Sequence, residues 1–221
     1  MTELKEPVLF GAGLSANEDK AAEYDRILEQ RMRSEREEKY LRSGVPEKFL
    51  GSSFESFIAG TDEEAGVKSA VMEFSREPRN RIMILCGNNG NGKTHLGCSV
   101  IRELGGEYVT SSMLCLKYDS AVGYRAEMSR EQIIEHYMRV SMLVVDDCGK
   151  FFLNKDLEKF ILVQVVCGRY ENNRPTVLIT NAEKKSFVNF LGKAVYDRLT
   201  EVCTTVEFAF DSKRYKGRRI Q

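Results

Sequence analysis

Short apolar runs alternate along the chain with longer segments in which apolar residues recur every three or four positions. The short runs predict buried β-strands, and the longer segments predict amphipathic α-helices. Strands and helices that alternate in this way favour an α/β domain with a mainly parallel sheet covered by helices. The predicted strands are residues 81–86, 107–110, 142–147, 176–181 and 204–210. The predicted helices are residues 18–42, 63–76, 95–104, 111–122, 130–139, 154–172, 184–191 and 194–200.

The predicted helix at residues 18–42 differs from the others because charges of both signs fill most of its surface. Two interpretations stay open: a solvated helix that packs weakly on its own domain, or a helix that docks on a partner protein. Glycine and proline within residues 44–46 end the helix. We therefore predict a charged helical arm over residues 1–45 and a second domain over residues 46–221. The few apolar positions that share one stripe of this helix are Tyr24, Ile27, Leu28 and Met32.

The stretch between the first predicted strand and the following helix matches G-x-x-x-x-G-K-[ST], the pattern of a phosphate-binding loop. Its position between a strand and a helix is the context that makes the pattern informative. The glycines let the backbone turn tightly and bring its amides close to phosphate oxygens, and the helix N-terminus adds further N–H donors. The predicted nucleotide-binding residues are Gly87, Asn88, Asn89, Gly90, Asn91, Gly92, Lys93, Thr94 and His95.

Two side chains of this loop and two carboxylates further along the chain suggest a magnesium-dependent site. Lys93 can reach the β- and γ-phosphates, and the Thr94 hydroxyl can ligate magnesium. Asp146 and Asp147 follow a buried apolar run, and in an open parallel sheet ligands bind where the strands end. We expect Asp146 to hold magnesium, directly or through water, and Asp147 to orient or deprotonate the attacking water. The alternative is a strand that merely ends in an acidic turn.

The strand predicted at residues 176–181 also ends in a polar side chain, Asn181. An amide at that tip can hydrogen-bond the γ-phosphate or the attacking water. The alternative is an Asx turn or a helix cap after the strand.

Composition limits the classes of protein that the chain can belong to. The 221 residues carry 33 basic and 33 acidic side chains, so no global basic field indicates nucleic acid. No apolar run approaches the roughly 18–20 residues that span a membrane, and the first residues do not resemble a signal peptide. Six scattered cysteines without a C-x-x-C pair favour buried free thiols over disulfides or zinc, and hence a cytoplasmic protein.

A local basic patch lies near the end of the chain, at residues 213–219, and it contains one aromatic residue, Tyr215. Such a segment can hold the phosphates of single-stranded DNA while the tyrosine stacks on a base. It can equally be a frayed terminus that increases solubility.

Taken together, these motifs resemble the AAA+ ATPases of the bacterial replicative helicase loader group, which are DnaC-like and DnaI-like, with the transposition helper IstB as close kin. The resemblance covers about residues 49–214. Each short match is weak alone, and their combination is specific. The matching stretches are residues 92–96, 144–149, 169–171, 174–176, 180–181 and 197–199.

The resemblance implies a three-layer α/β/α fold with a five-stranded sheet in the order 5-1-4-3-2. It also implies that Lys93 and Thr94 form the Walker A pair, that Asp146 and Asp147 form the Walker B pair, and that Asn181 is the sensor-1 residue. Arg198 resembles the arginine finger, which would reach the γ-phosphate of ATP in a neighbouring subunit. A fixed cation at the developing charge can contribute ~10³–10⁵ in rate.

The function implied by the resemblance is a cytoplasmic ATPase that uses ATP and Mg²⁺ to load a replicative DNA helicase. It would work on single-stranded DNA as an ATP-dependent homo-oligomer. One alternative is an IstB-like helper in transposition or phage replication. Another is a nucleotide-gated binding module with negligible turnover.

Three features depart from the family pattern. Asp147 stands where many members have glutamate, and the shorter carboxylate suggests slow hydrolysis. Only a short segment follows Arg198, so the helical lid with its sensor-2 arginine is expected to be missing. The N-terminal arm is also shorter than a full helicase-binding domain.

Overall fold

A computed structural model describes residues 12–79, 81–123, 126–150 and 154–210 of the chain. The chain divides into two compact units, Met1–Lys39 and Tyr40–Gln221. The second unit begins with Tyr40, whose side chain is buried in the core of that unit. The predicted division at residue 45 remains a prediction, and the basic tail at residues 213–219 lies outside the described residues.

Helices and strands alternate through the second unit as the apolar pattern predicts. One short 3₁₀ helix, Glu47–Phe49, lies between the first two α-helices of the chain. The strands are β1 (Ile82–Gly87), β2 (Glu107–Thr110), β3 (Leu143–Cys148), β4 (Thr176–Thr180) and β5 (Cys203–Phe208). The helices are α1 (Ala12–Leu41), α2 (Asp62–Arg76), α3 (Lys93–Leu104), α4 (Ser111–Ser120), α5 (Arg130–Arg139), α6 (Lys155–Glu171), α7 (Lys184–Leu191) and α8 (Lys193–Leu199).

The five strands form one sheet in the order β2-β3-β4-β1-β5, and every neighbouring pair is parallel. This is the predicted order 5-1-4-3-2 described from the opposite edge, so that prediction is confirmed. Parallel neighbours need long crossover connections, and the helices supply them. The order puts β4 between β1 and β3, which means that three strand ends meet at one place on the carboxyl edge of the sheet.

Both faces of the sheet are covered, which explains the near-continuous apolar runs of its central strands. Alternate residues of β1 contact different layers. Met83 and Leu85 pack with α2 and α3 residues, whereas Ile82 and Ile84 pack with α6 residues. The fold is therefore the predicted three-layer α/β/α arrangement.

Side chains cap the starts of two helices. The Ser129 hydroxyl accepts a hydrogen bond from the Gln132 backbone N–H at 3.2 Å, and the Gln132 side chain accepts one from the Ser129 N–H at 2.8 Å. This is a reciprocal capping box at the start of α5. Asn154 caps α6 by accepting hydrogen bonds from the backbone N–H groups of Asp156 and Leu157.

Helix α6 buries a broad apolar face. Ile161, Leu162 and Val166 are buried, whereas the Phe160 side chain is about half exposed and meets the Tyr118 ring edge-on. A helix that packs against both the sheet and neighbouring helices buries a wider arc than the narrow stripe that the sequence indicates.

The cysteines carry free thiols, as predicted. Four are buried, and Cys167 and Cys203 are partly buried. Burial disfavours the thiolate and raises the pKa of both Cys86 and Cys115 to about 11. Among the helices of the described segments, none combines the length and the apolar character that crossing a bilayer requires.

A buried guanidinium joins α6 to the sheet. Arg169 has no exposed surface and donates hydrogen bonds to the Thr176 hydroxyl at 2.8 Å and to the carbonyl oxygens of Tyr137 at 2.7 Å, Val140 at 2.9 Å and Pro175 at 2.7 Å. Burial lowers the pKa of this side chain to about 9, so it stays charged at neutral pH. These bonds fix the ends of α5 and α6 at the start of β4.

Replacing Arg169 should therefore destabilise the fold. We expect Arg169→Met to lower the free energy of unfolding by about 3 kcal/mol, because several buried acceptors lose their donor. Urea denaturation measures this change. Arg174→Met is the matched control, since Arg174 is exposed in the loop that follows α6. This substitution should lower the free energy of unfolding by less than about 0.5 kcal/mol. Equal effects of the two substitutions would contradict this role of Arg169.

Candidate functional site

A cleft of about 820 Å³ opens at the carboxyl edge of the sheet, where β1, β3 and β4 end. This is the edge at which ligands bind in open α/β sheets. Its lining combines the turn after β1 with polar side chains from β2, β3 and β4, and with the segment at residues 46–58. We call this space the cleft.

The turn after β1 needs glycine at two of its predicted positions. Gly87 and Gly92 have φ values of 119° and 93°, which side chains with a Cβ rarely adopt. A Cβ on Gly87 would lie 2.5 Å from the Phe208 carbonyl oxygen, and one on Gly92 would lie 2.5 Å from the Phe57 ring. Strand β5 and Phe57 therefore pack directly on the loop backbone. Phe57 belongs to the segment at residues 46–58, which we call the aromatic segment. Helix α3 begins immediately after the loop, at Lys93.

The Lys93 side chain folds back onto the start of this loop. Its ammonium group donates hydrogen bonds to the carbonyl oxygens of Gly87 at 2.7 Å and Asn88 at 2.5 Å. Burial lowers the pKa of Lys93 to about 8, and the nearby Asp146 carboxylate opposes this shift. A buried cation beside backbone N–H groups at a helix N-terminus is suited to an anion such as a phosphate.

The predicted metal-binding pair is in direct contact. Thr94 Oγ1 donates a hydrogen bond to Asp146 Oδ2 at 2.7 Å, and the Tyr108 hydroxyl donates to the same oxygen at 2.8 Å. Asp146 is buried, which raises the pKa of its carboxyl group, and the hydrogen bonds from Thr94 and Tyr108 counteract that rise. Residues from α3 and β2 thus both bind the carboxylate that β3 carries.

These oxygens fit a magnesium ion. Mg²⁺ usually takes one or two protein carboxylates together with phosphate oxygens and waters, and it does not need a cage of protein ligands. Thr94 and Asp146 offer a hydroxyl and a carboxylate at the mouth of the phosphate loop. In the described parts of the chain, no group of three or more histidine, cysteine, aspartate or glutamate side chains suggests a different metal site.

A bulge in β3 brings both acidic side chains to the cleft. Between the paired positions Val145 and Cys148, strand β3 has one residue more than β4 has between Leu178 and Thr180. In a regular strand, consecutive side chains point to opposite faces, whereas a bulge redirects one of them. Asp146 and Asp147 both line the cleft as a result.

Asp147 and Asn181 are also neighbours, as the resemblance implies. The Asn181 side-chain amide donates to Asp147 Oδ1 at 3.3 Å, and the Lys150 ammonium lies 2.5 Å from the same oxygen. Asp147 itself has a φ of 58°, an uncommon value for a residue with a side chain. Strained backbone of this kind is concentrated at functional sites.

The side chains of two residues predicted to contact nucleotide also bond to protein, and one of them, His95, lines the cleft. Asn91 is buried and donates to the carbonyl oxygens of Phe208 at 3.1 Å and Phe210 at 2.5 Å. Its Oδ1 has no partner among the described residues. His95 Nε2 lies 3.1 Å from the Ser56 hydroxyl and 3.0 Å from the Ser53 carbonyl oxygen. These side chains hold β5 and the aromatic segment against the loop.

Arg198, the predicted arginine finger, is not part of this cleft. It lies on α8 with its side chain more than half exposed, and its guanidinium is 3.7 Å from Glu171 Oε1. The cleft of the same chain is lined without it. Any contact with a phosphate would therefore have to be made with another subunit.

Among the polar residues of the cleft that sequence reasoning missed, Tyr108 and Lys150 contact the predicted acidic side chains. Tyr108 lies in a short predicted strand whose polar side chains gave no sign of which one meets Asp146. Lys150 follows a glycine in the turn after β3 and looks like an ordinary surface lysine. The segment at residues 46–58 also contributes to the cleft. Phe57 is buried against Gly92, while Phe49 and Ile58 line the cleft.

Comparison with known proteins assigns the family. A model of the family described as IstB-like ATP binding protein matches residues 18–220. The chain belongs to this family. This IstB-like chain is 27% identical over 164 residues to the replicative helicase loader DnaC of Escherichia coli K12, covering 72% of the chain and 66% of that protein. It is 26% identical over 170 residues to the DnaC of Buchnera aphidicola from Schizaphis graminum, covering 72% and 67%.

The IstB-like chain thus spans about two thirds of the length of the curated relatives that it matches. Solved structures show the same fold at lower identity. The crystal structure of the DnaC helicase loader superposes with a TM-score of 0.64 at 16% identity, covering 73% of this chain and 99% of that one. DnaI gives a TM-score of 0.60 at 17% identity, covering 76% and 94%.

Removing the Tyr108 hydroxyl should weaken magnesium binding in the cleft. We expect Tyr108→Phe to raise the Mg²⁺ concentration for half-maximal ATP binding by about ten-fold, because the carboxylate loses one of the donors that orient it. A titration of Mg²⁺ at fixed fluorescent ATP analogue measures this shift. Tyr118→Phe on α4 is the control and should have no effect. An unchanged Mg²⁺ requirement in Tyr108→Phe would contradict the assignment of Asp146 to the metal.

Proposed function

We propose that this IstB-like protein is a Mg²⁺-dependent ATPase that loads a replicative DNA helicase onto single-stranded DNA. The observation that carries the proposal is the convergence of Lys93, Thr94, Asp146, Asp147 and Asn181 on one cleft at the ends of β1, β3 and β4. A triphosphate that enters the cleft would meet a buried cation, a metal-binding oxygen pair and a water-orienting carboxylate.

The chemistry of the cleft supports hydrolysis of the γ-phosphate. Lys93 and the N-terminus of α3 would bind the phosphates, and magnesium bound by Thr94 and Asp146 would neutralise the developing charge. Asp147 would orient the attacking water. The Asn181 amide, which donates to Asp147 Oδ1 at 3.3 Å, would hold the carboxylate in position. Turnover is expected to be slow, because the Asp147 side chain is shorter than the glutamate that many family members have at this position.

The proposed client and substrate come from the relatives. The curated relatives are named replicative helicase loader DnaC. A DnaA structure bound to AMPPCP and single-stranded DNA superposes with a TM-score of 0.57, at 17% identity, and covers 76% of this chain and 51% of that one. An ATP-dependent homo-oligomer is proposed because Arg198 is exposed and does not line its own cleft, so that it is available to a neighbouring subunit.

The family assignment also favours a second candidate, an IstB-like helper ATPase for transposition or phage replication. The partner protein distinguishes the two. Affinity capture from the native cell with ATP bound should recover a replicative helicase under the first proposal and a recombinase under the second. A captured partner supports either proposal only if the Lys93→Ala variant does not capture it.

Lys93→Ala should abolish nucleotide binding. The alanine removes the cation that lies across the loop, and we expect the affinity for ATP to fall by at least about 100-fold. Isothermal titration calorimetry measures the affinity, and circular dichroism shows that the variant is folded. Lys185→Ala, an exposed lysine of α7 outside the cleft, is the matched control. Unchanged ATP affinity in Lys93→Ala would refute the proposed nucleotide site.

Arg198→Ala should bind ATP normally and fail to hydrolyse it. Asp147→Asn should show the same pattern for a different reason, since it lacks the carboxylate that orients water. Mixing the two inactive variants should restore about a quarter of wild-type turnover, because randomly mixed interfaces sometimes pair an intact Asp147 with a neighbour's intact Arg198. A phosphate-release assay measures turnover. If the mixture stays inactive, the arginine does not act between subunits.

A further inference from the structure

The turn that follows β3 presents a lysine to the cleft. Lys150 lines the cleft together with Lys93, Asp147 and Asn181. Its ammonium lies 2.5 Å from Asp147 Oδ1, the oxygen that also accepts the Asn181 amide. A cation therefore stands beside the carboxylate that we assign to the attacking water.

The backbone of this turn is anchored at two points. The Thr180 hydroxyl donates to the Cys148 carbonyl oxygen at 2.8 Å, and the Gly149 N–H donates to Glu158 Oε1 at 2.6 Å. Glu158 is buried and also accepts a hydrogen bond from the Ser111 hydroxyl at 2.7 Å. These bonds fix the two residues that precede Lys150, from which its flexible side chain extends into the cleft.

Lys150 and Lys93 lie close enough to repel each other. Burial is the main cause of the lowered pKa of Lys93, and the positive charge of Lys150 lowers it further. Two ammonium groups in one cleft cost free energy unless negative charge lies between them. A chain of phosphates supplies such charge and can accept hydrogen bonds from both lysines.

We propose that Lys150 is a γ-phosphate-binding residue that exchanges its ion pair with Asp147 for the γ-phosphate when ATP binds. This inference rests on the proposed function of the cleft as an ATP site. The exchange leaves Asp147 Oδ1 with the Asn181 amide alone, so that the carboxylate becomes available to orient water. ADP has no γ-phosphate, and with ADP bound Lys150 keeps its pairing with Asp147. The lysine thereby makes the site sensitive to which nucleotide is bound.

The test compares the affinities of Lys150→Met for ADP and for a non-hydrolysable ATP analogue, both with Mg²⁺. We expect the affinity for the ATP analogue to fall by about ten-fold or more, as for the loss of a charge-assisted hydrogen bond. The affinity for ADP should change by less than about two-fold, and Lys150→Arg should keep most of the preference for ATP because it keeps the charge. Lys185→Met is the matched control outside the cleft.

A double variant separates direct contact from a purely indirect effect. If Lys150 acted only by neutralising Asp147, then adding Asp147→Asn to Lys150→Met would restore the affinity for the ATP analogue. Direct binding predicts that the loss persists in the double variant. Full restoration, equal losses for both nucleotides, or no loss at all would each overturn the role of Lys150. In those cases wild-type ATP binding would still support the proposed function, whereas a wild-type protein that binds neither nucleotide would refute both.

Discussion

The hydrogen bond from Thr94 to Asp146, 2.7 Å long, joins the two halves of the cleft across strand β4. Thr94 lies in the first turn of α3, after the loop that follows β1, and Asp146 lies near the end of β3. Strands β1 and β3 do not pair with each other. The bond forms only because β1, β4 and β3 run parallel and end at the same edge. Burial disfavours the charge on Asp146, and the donors Thr94 and Tyr108 offset that cost. The Asp146 carboxylate thus joins neighbouring elements of the fold and is also part of the proposed metal site.

The phosphate loop is held in shape by segments that are distant in sequence. Asn91 bonds to the end of β5, and His95 bonds to the serines near residue 53. The same aromatic segment is bound further along α3, where Arg102 donates to the Ser52 carbonyl oxygen at 2.9 Å. These contacts leave little freedom for the loop. A phosphate therefore meets N–H groups that are already oriented, which reduces the entropy cost of binding.

The sequence predicted the strands and the phosphate loop directly, because both depend on local patterns, whereas the resemblance to a known family supplied the sheet order. Apolar runs mark β1, β3 and β4, and glycines at positions that need positive φ mark the turn after β1. Asn91 and His95 were predicted to contact nucleotide, and this stays a prediction; the structure adds that their side chains bond to protein. A motif fixes the path of the backbone and says little about side chains that point away from it.

Sequence alone determined that a phosphate loop, an acidic strand end and a polar strand tip occur in this order in one α/β chain. Only the tertiary structure decided that Tyr108 meets Asp146, that a bulge turns Asp147 into the cleft, and that Lys150 pairs with it. Local propensities set the period of each strand and helix. Which side chains become neighbours across strands depends on register, on bulges and on the close packing of segments far apart in the chain, and none of these leaves a local signal.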